Sequence, residues 1–113
     1  MFRQTLELLL ELRSTIEVVG SVATGREAVE LSARLRPDVV VMDYRMPGLN
    51  GAQATAAVLE ASPDSRVVCL TASISGAELR EIRAAGAIAC VMKDEALEGI
   101  VDAIHDAALA PRA

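Results

Sequence analysis

Three polar residues follow apolar runs at positions where they could support chemistry. Asp43 follows VVVM, Thr71 follows VVCL, and Lys93 follows IACVM. A carboxylate can act as a nucleophile toward phosphorus, and an ammonium and a hydroxyl can hold the oxygens of a phosphoryl group. Each residue alone fits an ordinary turn, cap or solvated position. Their recurrence after three successive apolar runs favours a site that accepts a phosphoryl group.

Helical and strand patterns alternate along the chain, and they explain how these residues could meet. β-branched and apolar runs predict strands over residues 16–22, 38–43, 66–71 and 88–92. Helical periodicity predicts helices before, between and after these runs. Such alternation with short connections predicts an α/β fold, with a parallel sheet and helices on both faces. In these folds ligands bind at the carboxyl ends of the strands.

Local signals mark where several helices begin. Thr24 with Glu27, and Ser75 with Glu78, have the spacing of capping boxes. Asp94 is predicted to cap the last helix. Each strand is therefore followed closely by a helix start, as a βα unit requires.

Composition excludes several classes of function. The chain has 113 residues, is 52 % hydrophobic and carries a net charge of −5. That length suits one domain, and that charge argues against nucleic-acid binding by this segment. No apolar run has the length of a membrane span. Cys69 and Cys90 lie inside apolar runs, which predicts reduced core cysteines and a cytoplasmic protein.

These segments resemble the receiver domain of two-component response regulators. The segment DYRMPGLNG beginning at Asp43, together with CLTAS around Thr71 and VMKDE around Lys93, is similar to the family's motifs. The segments ATGREAVEL and RAAGA are similar as well. The sequence of these segments resembles that of the NarL/FixJ-like subclass, whose members carry a helix-turn-helix output domain. The resemblance covers residues 1–109 as one receiver domain and leaves 110–113 as a tail.

The resemblance implies a flavodoxin-like fold and a role for each site residue. Asp43 would accept a phosphoryl group from a histidine kinase, and Thr71 and Lys93 would bind that group. Arg45 and Ser73 would modulate its stability. Asp43 and the backbone carbonyl of Arg45 would hold Mg²⁺. The implied function is phosphorelay signal transduction linked to transcription regulation, and the chain is not expected to be an enzyme.

The sequence departs from the family at its beginning. The family's first strand and its two adjacent acids are absent, so we expect a truncated sheet of four strands instead of five. Glu7 and Glu11 lie within a predicted helix and cannot replace the acids. We therefore expect Mg²⁺ affinity to be weak or lost, and homodimerisation or strand exchange to compensate for the missing strand. Either Met1 is an internal methionine of a longer protein, or the receiver is degenerate.

A second departure concerns Cys90, which occupies the position of the family's switch aromatic. A cysteine has too little bulk to report movement of the neighbouring threonine, so Cys90 is interpreted as a degenerate switch position.

Two alternatives to a working receiver remain open. The first is a pseudo-receiver that acts as a phosphorylation-independent interaction or dimerisation module. The second is an aspartate-dependent phosphohydrolase, which would need an acid two residues after the nucleophile. Arg45 stands at that position, which argues strongly against the hydrolase.

Overall fold

The computed structural model describes residues 2–94 and 96–110. The described elements, in chain order, are α1 (Phe2–Glu11), α2 (Gly25–Leu35), β1 (Val39–Asp43), α3 (Gly51–Ala61), β2 (Arg66–Thr71), α4 (Gly76–Ala84), β3 (Ala89–Met92) and α5 (Leu97–Leu109). The three strands form one parallel sheet with the order β1-β2-β3. The predicted flavodoxin-like architecture is confirmed.

Two apolar cores cover the two faces of this sheet. One core joins α2, α3 and α4 to the sheet through residues such as Ala28, Val58 and Ile82. The other joins α1 and α5 through residues such as Leu10 and Ile104. All six residues of β2 are buried, as expected of a central parallel strand covered on both sides. The sheet is therefore a rigid platform for the groups at its carboxyl edge.

The prediction of a fourth strand over residues 16–22 is wrong. Within the described part of the chain, this segment has no backbone hydrogen bond to β1 and belongs to no sheet. Ile16 and Val18 pack against the core on the α5 side, and Val22 packs against the other core. High β-propensity therefore supplies apolar contacts here, but a strand also needs a neighbouring backbone with which to pair.

An open groove of about 940 Å³ lies between segment 16–22 and β1. Val39, Val41 and Met42 line it from the strand side, and Leu6 and Leu31 contribute from helices on opposite faces of the sheet. Segment 16–22 does not close this groove by pairing with β1. The edge of β1 stays open instead.

The predicted helix starts have mixed outcomes. Both predicted caps form: the side chain of Thr24 accepts from the backbone N–H of Glu27, and Ser75 and Glu78 make a full capping box. Asn50 and Gln53 form another capping box at α3. The prediction that Asp94 caps the last helix is wrong, because α5 is preceded by Ala96 with no side-chain cap.

Candidate functional site

The carboxyl ends of the three strands bring Asp43, Thr71 and Lys93 to one edge of the sheet. Asp43 ends β1, Thr71 ends β2, and Lys93 directly follows β3. In the parallel register Asp43 pairs with Leu70 and Thr71 pairs with Met92. The backbone N–H of Lys93 donates to the carbonyl of Thr71 at 2.7 Å. The apolar runs that precede these residues in sequence are thus the strands that position them.

Both carboxylate oxygens of Asp43 accept hydrogen bonds. The Lys93 ammonium lies 2.6 Å from Oδ2, and the backbone N–H of Arg45 donates to Oδ1 at 3.2 Å. The side chains of Asp43 and Lys93 are 38 % and 24 % exposed, so the ion pair stays accessible from solvent. The arrangement presents a carboxylate with a cation alongside, which is what a negatively charged phosphoryl group would need.

Thr71 lies next to this pair, but its hydroxyl is engaged elsewhere. The side chain is buried, and its Oγ1 donates to the backbone carbonyl of Ser73 at 2.8 Å. Within the described residues no hydrogen bond joins Thr71 to Asp43. A rotation of the Thr71 side chain would have to break the bond to Ser73 before the hydroxyl could serve a group on Asp43.

The Arg45 side chain turns away from Asp43 and toward α4. Its guanidinium binds both carboxylate oxygens of Glu78 at 3.0 and 3.2 Å and reaches the Ser73 carbonyl at 3.5 Å. It also lies 5.4 Å from the centroid of the Tyr44 ring. Two hydrogen bonds lower the pKa of Glu78 from its usual value: the larger effect comes from the backbone N–H of Ser75 and the smaller from the Arg45 guanidinium.

Sequence reasoning missed Glu78 as a site residue. Its place in a capping box was visible, but nothing in the local pattern indicated a partner that lies 33 residues earlier in the chain. The Arg45–Glu78 pair ties the loop after Asp43 to the first turn of α4. Gly48 sits in the same loop with φ +81°, a backbone conformation that favours glycine.

Cys90 lies in register with Cys69 of the neighbouring strand. Both thiols are free, Cys69 fully buried and Cys90 partly exposed. The pKa of the Cys69 thiol is raised to about 12, mainly by burial and secondly by the adjacent Cys90 thiol. Cys90 packs against the apolar core that joins α2, α3 and α4 to the sheet.

The donor set around Asp43 does not fit a complete magnesium site. Mg²⁺ requires near-ideal octahedral oxygen coordination, usually from carboxylates, phosphates and waters. Asp43 supplies one carboxylate, one oxygen of which is already bonded to the Lys93 ammonium. Within residues 2–94 and 96–110 there is no group of three or more His, Cys, Asp or Glu side chains that could hold a metal.

Comparison with known proteins decides the family. The model of the response regulator receiver domain matches residues 1–105. The chain belongs to the response regulator receiver domain family. This receiver is 35 % identical over 107 residues to the transcriptional regulatory protein LiaR of Bacillus subtilis, covering 95 % of this chain and 51 % of LiaR. The receiver thus spans about half the length of the curated relatives it matches.

Solved receiver structures agree in fold. The signal receiver domain of NarL from Mycobacterium tuberculosis superposes with a TM-score of 0.91 at 35 % identity, covering 97 % of this chain and 89 % of that one. A LuxR-family two-component response regulator from Aurantimonas superposes with a TM-score of 0.88 at 29 % identity, covering 96 % of this chain and 78 % of that one. Among the described helices of this receiver, none is long and apolar enough to cross a membrane.

Proposed function

We propose that this receiver accepts a phosphoryl group on Asp43 from a histidine kinase. The observation that carries the proposal is the 2.6 Å contact between Lys93 Nζ and Asp43 Oδ2 at the open carboxyl edge of the sheet. An oxygen of Asp43 would attack phosphorus, the new O–P bond would form, and the N–P bond of the donor's phosphohistidine would break. The product is an acyl phosphate on Asp43.

The neighbouring groups would then stabilise the added charge. The Lys93 ammonium already lies within hydrogen-bonding distance of the Asp43 carboxylate. It would need only a small shift to reach an oxygen of a phosphoryl group on Asp43. Thr71 would exchange its bond to the Ser73 carbonyl for a bond to the phosphoryl group. These two side chains are the proposed phosphoryl-binding and switch residues.

Arg45 and Ser73 are the proposed modulators of phosphoryl stability. Arg45 is held over the loop by Glu78, and the Ser73 carbonyl accepts from both Thr71 and Arg45. Access of water to a phosphorylated Asp43 would therefore depend on whether this loop keeps its contacts. The small Cys90 side chain would transmit little of that change to the surface of α4, consistent with a degenerate switch position.

The proposal includes weak or lost Mg²⁺ binding, because a single carboxylate and the Arg45 carbonyl are too few ligands. That same donor set favours a second candidate function, a pseudo-receiver that recognises partners without phosphorylation. Transcriptional control and histidine-kinase recognition are proposals of the same kind, supported by relatives named as transcriptional regulators. Homodimerisation is a further proposal, which the open edge of β1 favours. The proposed receiver domain is 1–109; residues 111–113 of the proposed tail lie outside the described part.

Incubation with Mg²⁺ and acetyl phosphate, followed by intact mass, tests the first candidate against the second. The expected result is one phosphoryl adduct on the wild type and none on Asp43→Asn. Asp38→Asn, at the other end of the same strand, is the matched control and should label like the wild type. Absence of an adduct on a protein with a folded circular dichroism spectrum would reject phosphorylation and leave the pseudo-receiver.

A further inference from the structure

The Arg45 side chain lies between two acidic residues and is bonded to only one of them. The backbone N–H of Arg45 donates to Asp43 Oδ1 at 3.2 Å, so the side chain begins beside the proposed phosphoryl acceptor. Its guanidinium nevertheless binds the two carboxylate oxygens of Glu78, Nη1 at 3.2 Å and Nη2 at 3.0 Å. Because 57 % of the Arg45 side chain is exposed, little packing restrains it. The guanidinium can therefore turn toward Asp43 when the charge there changes.

Glu78 connects this guanidinium to the beginning of α4. Its Oε1 also accepts from the backbone N–H of Ser75 at 3.0 Å, and its own backbone N–H donates to Ser75 Oγ at 3.1 Å. The same carboxylate thus caps the helix and binds Arg45. An exposed ion pair contributes little free energy, so a stronger anion within reach can take Arg45 from Glu78 while the cap stays in place.

The Ser73 carbonyl is a second point that ties the loop before α4 to the site. It accepts from Thr71 Oγ1 at 2.8 Å and from Arg45 Nη2 at 3.5 Å. Under the proposed function Thr71 leaves this carbonyl for the phosphoryl group. If Arg45 left as well, the carbonyl would lose both bonds. Loop 72–75 would then be released from the site together with the first turn of α4.

A phosphoryl group on Asp43 is a stronger competitor for the guanidinium than the Glu78 carboxylate. It adds negative charge and three acceptor oxygens two residues away from Arg45. Arginine binds phosphate with two parallel hydrogen bonds, as it does carboxylate. The Lys93 ammonium already lies on Asp43 and supplies one positive charge, so a second cation is needed to balance the charge that the phosphoryl group adds.

We propose that phosphorylation of Asp43 draws the Arg45 guanidinium from Glu78 to the phosphoryl oxygens and thereby releases the first turn of α4. The inference rests on the proposed phosphorylation of Asp43 and adds the route by which that event reaches the surface. Glu78 is a positioning residue in this route, because it acts through Arg45. The route does not pass through Cys90, so the small side chain at that position does not interrupt it.

Carboxyl carbon NMR on protein with labelled glutamate follows the exchange directly. After incubation with Mg²⁺ and acetyl phosphate, the Glu78 Cδ resonance should move to the position that it has in unphosphorylated Arg45→Met. In Arg45→Met itself this resonance should stay in place on phosphorylation, because no guanidinium leaves the carboxylate. The Cδ resonance of Glu81 is the internal control, since Glu81 is exposed on the same helix and belongs to no ion pair within the described residues.

The half-life of the phosphorylated protein measures the competition between the two anions. Glu78→Gln keeps a side-chain oxygen for the helix cap, as Gln53 does at the start of α3, but it loses the charge that holds Arg45. More of the guanidinium should then lie on the phosphoryl group and obstruct water, so the half-life should lengthen about threefold. Glu81→Gln, the matched control on the same helix, should leave the half-life unchanged. In an Arg45→Met background Glu78→Gln should have no effect on the half-life, which a purely structural role of Glu78 would not predict.

The outcomes that overturn this inference are distinguishable from a failure of the proposed function. A Glu78 resonance that does not move, on protein whose mass shows the phosphoryl adduct, would overturn the exchange alone. An unchanged or shortened half-life of Glu78→Gln would do the same, as would a lengthening that persists in the Arg45→Met background. Absence of an adduct on folded wild-type protein would instead reject the phosphorylation of Asp43, and the exchange with it.

Discussion

Two of the glycines that begin helices in this receiver, Gly51 and Gly76, should respond to alanine with opposite signs. Gly51 begins α3 and Gly76 begins α4, each directly after the N-cap residue of a capping box. A Cβ built on Gly51 would meet the Tyr44 Cα at 2.6 Å and the Asp43 carbonyl oxygen at 3.1 Å. On Gly76 the nearest atom is Arg80 Nη1 at 3.6 Å, the end of a flexible side chain.

The magnitudes follow from these contacts. Gly51→Ala must displace backbone in a packed interior, which costs about 1–3 kcal/mol. Gly76→Ala meets only an ordinary contact with a flexible side chain, at a position without positive φ, and it should gain about 0.4–1 kcal/mol by restricting the unfolded chain. The two variants should therefore differ by at least about 1.4 kcal/mol in the free energy of unfolding.

Urea unfolding followed by far-UV circular dichroism measures this difference directly. The midpoint for Gly51→Ala should fall and that for Gly76→Ala should rise, with the slope m unchanged in both. Equal effects of the two substitutions would refute the reasoning, since a general cost or gain of alanine at helix starts would then explain them. A stabilised Gly51→Ala would show that the loop after Asp43 yields to the added methyl group.

Two further predictions concern the thiols and the only lysine of the chain. Thiol reagents should label Cys90 and spare Cys69, because burial raises the pKa of the Cys69 thiol to about 12. The same thiol has a lower pKa in the unfolded chain. The contribution of Cys69 to the free energy of unfolding should therefore be complete below about pH 9 and be lost as the pH rises toward 12. Labelling of both thiols at equal rates in native protein would contradict this. Lys93→Met should slow phosphoryl transfer to Asp43 by about 10²-fold, yet change stability by no more than about 1 kcal/mol because the ion pair is part-exposed. Arg13→Met, which breaks a remote ion pair with Glu98, should leave the rate of phosphoryl transfer to Asp43 unchanged. If both substitutions slowed that transfer, a specific role for Lys93 would be contradicted.

Elements with strong local signals could be predicted from the sequence. The strand Arg66–Thr71 has the predicted bounds, because an apolar run with polar residues at both ends marks it. The meeting of Asp43 with Lys93 was predictable for a different reason. Parallel topology places all carboxyl strand ends on one edge, so residue order along the chain is enough to bring them together.

The errors share a dependence on distant partners. The segment 16–22 has β-propensity but no neighbouring backbone to complete a ladder. Arg45 and Glu78 meet only because the loop after β1 folds toward the first turn of α4, and no local pattern encodes that approach. The Thr71 bond to the Ser73 carbonyl likewise depends on the path of a loop rather than on residue type.

Because the edge of β1 is open, Asp43 also affects the tendency of the protein to aggregate. Val39 to Met42 is an uninterrupted apolar β-forming run, and it is bracketed by Asp38 and Asp43. Charges that flank such runs act as gatekeepers against aggregation. Asp43→Asn, the variant that cannot be phosphorylated, removes one gatekeeper from an edge that has no partner strand among the described residues. Solutions of that variant should therefore aggregate faster on storage than solutions of the wild type. A phenotype of Asp43→Asn therefore has two sources, faster aggregation of the protein and the loss of phosphorylation.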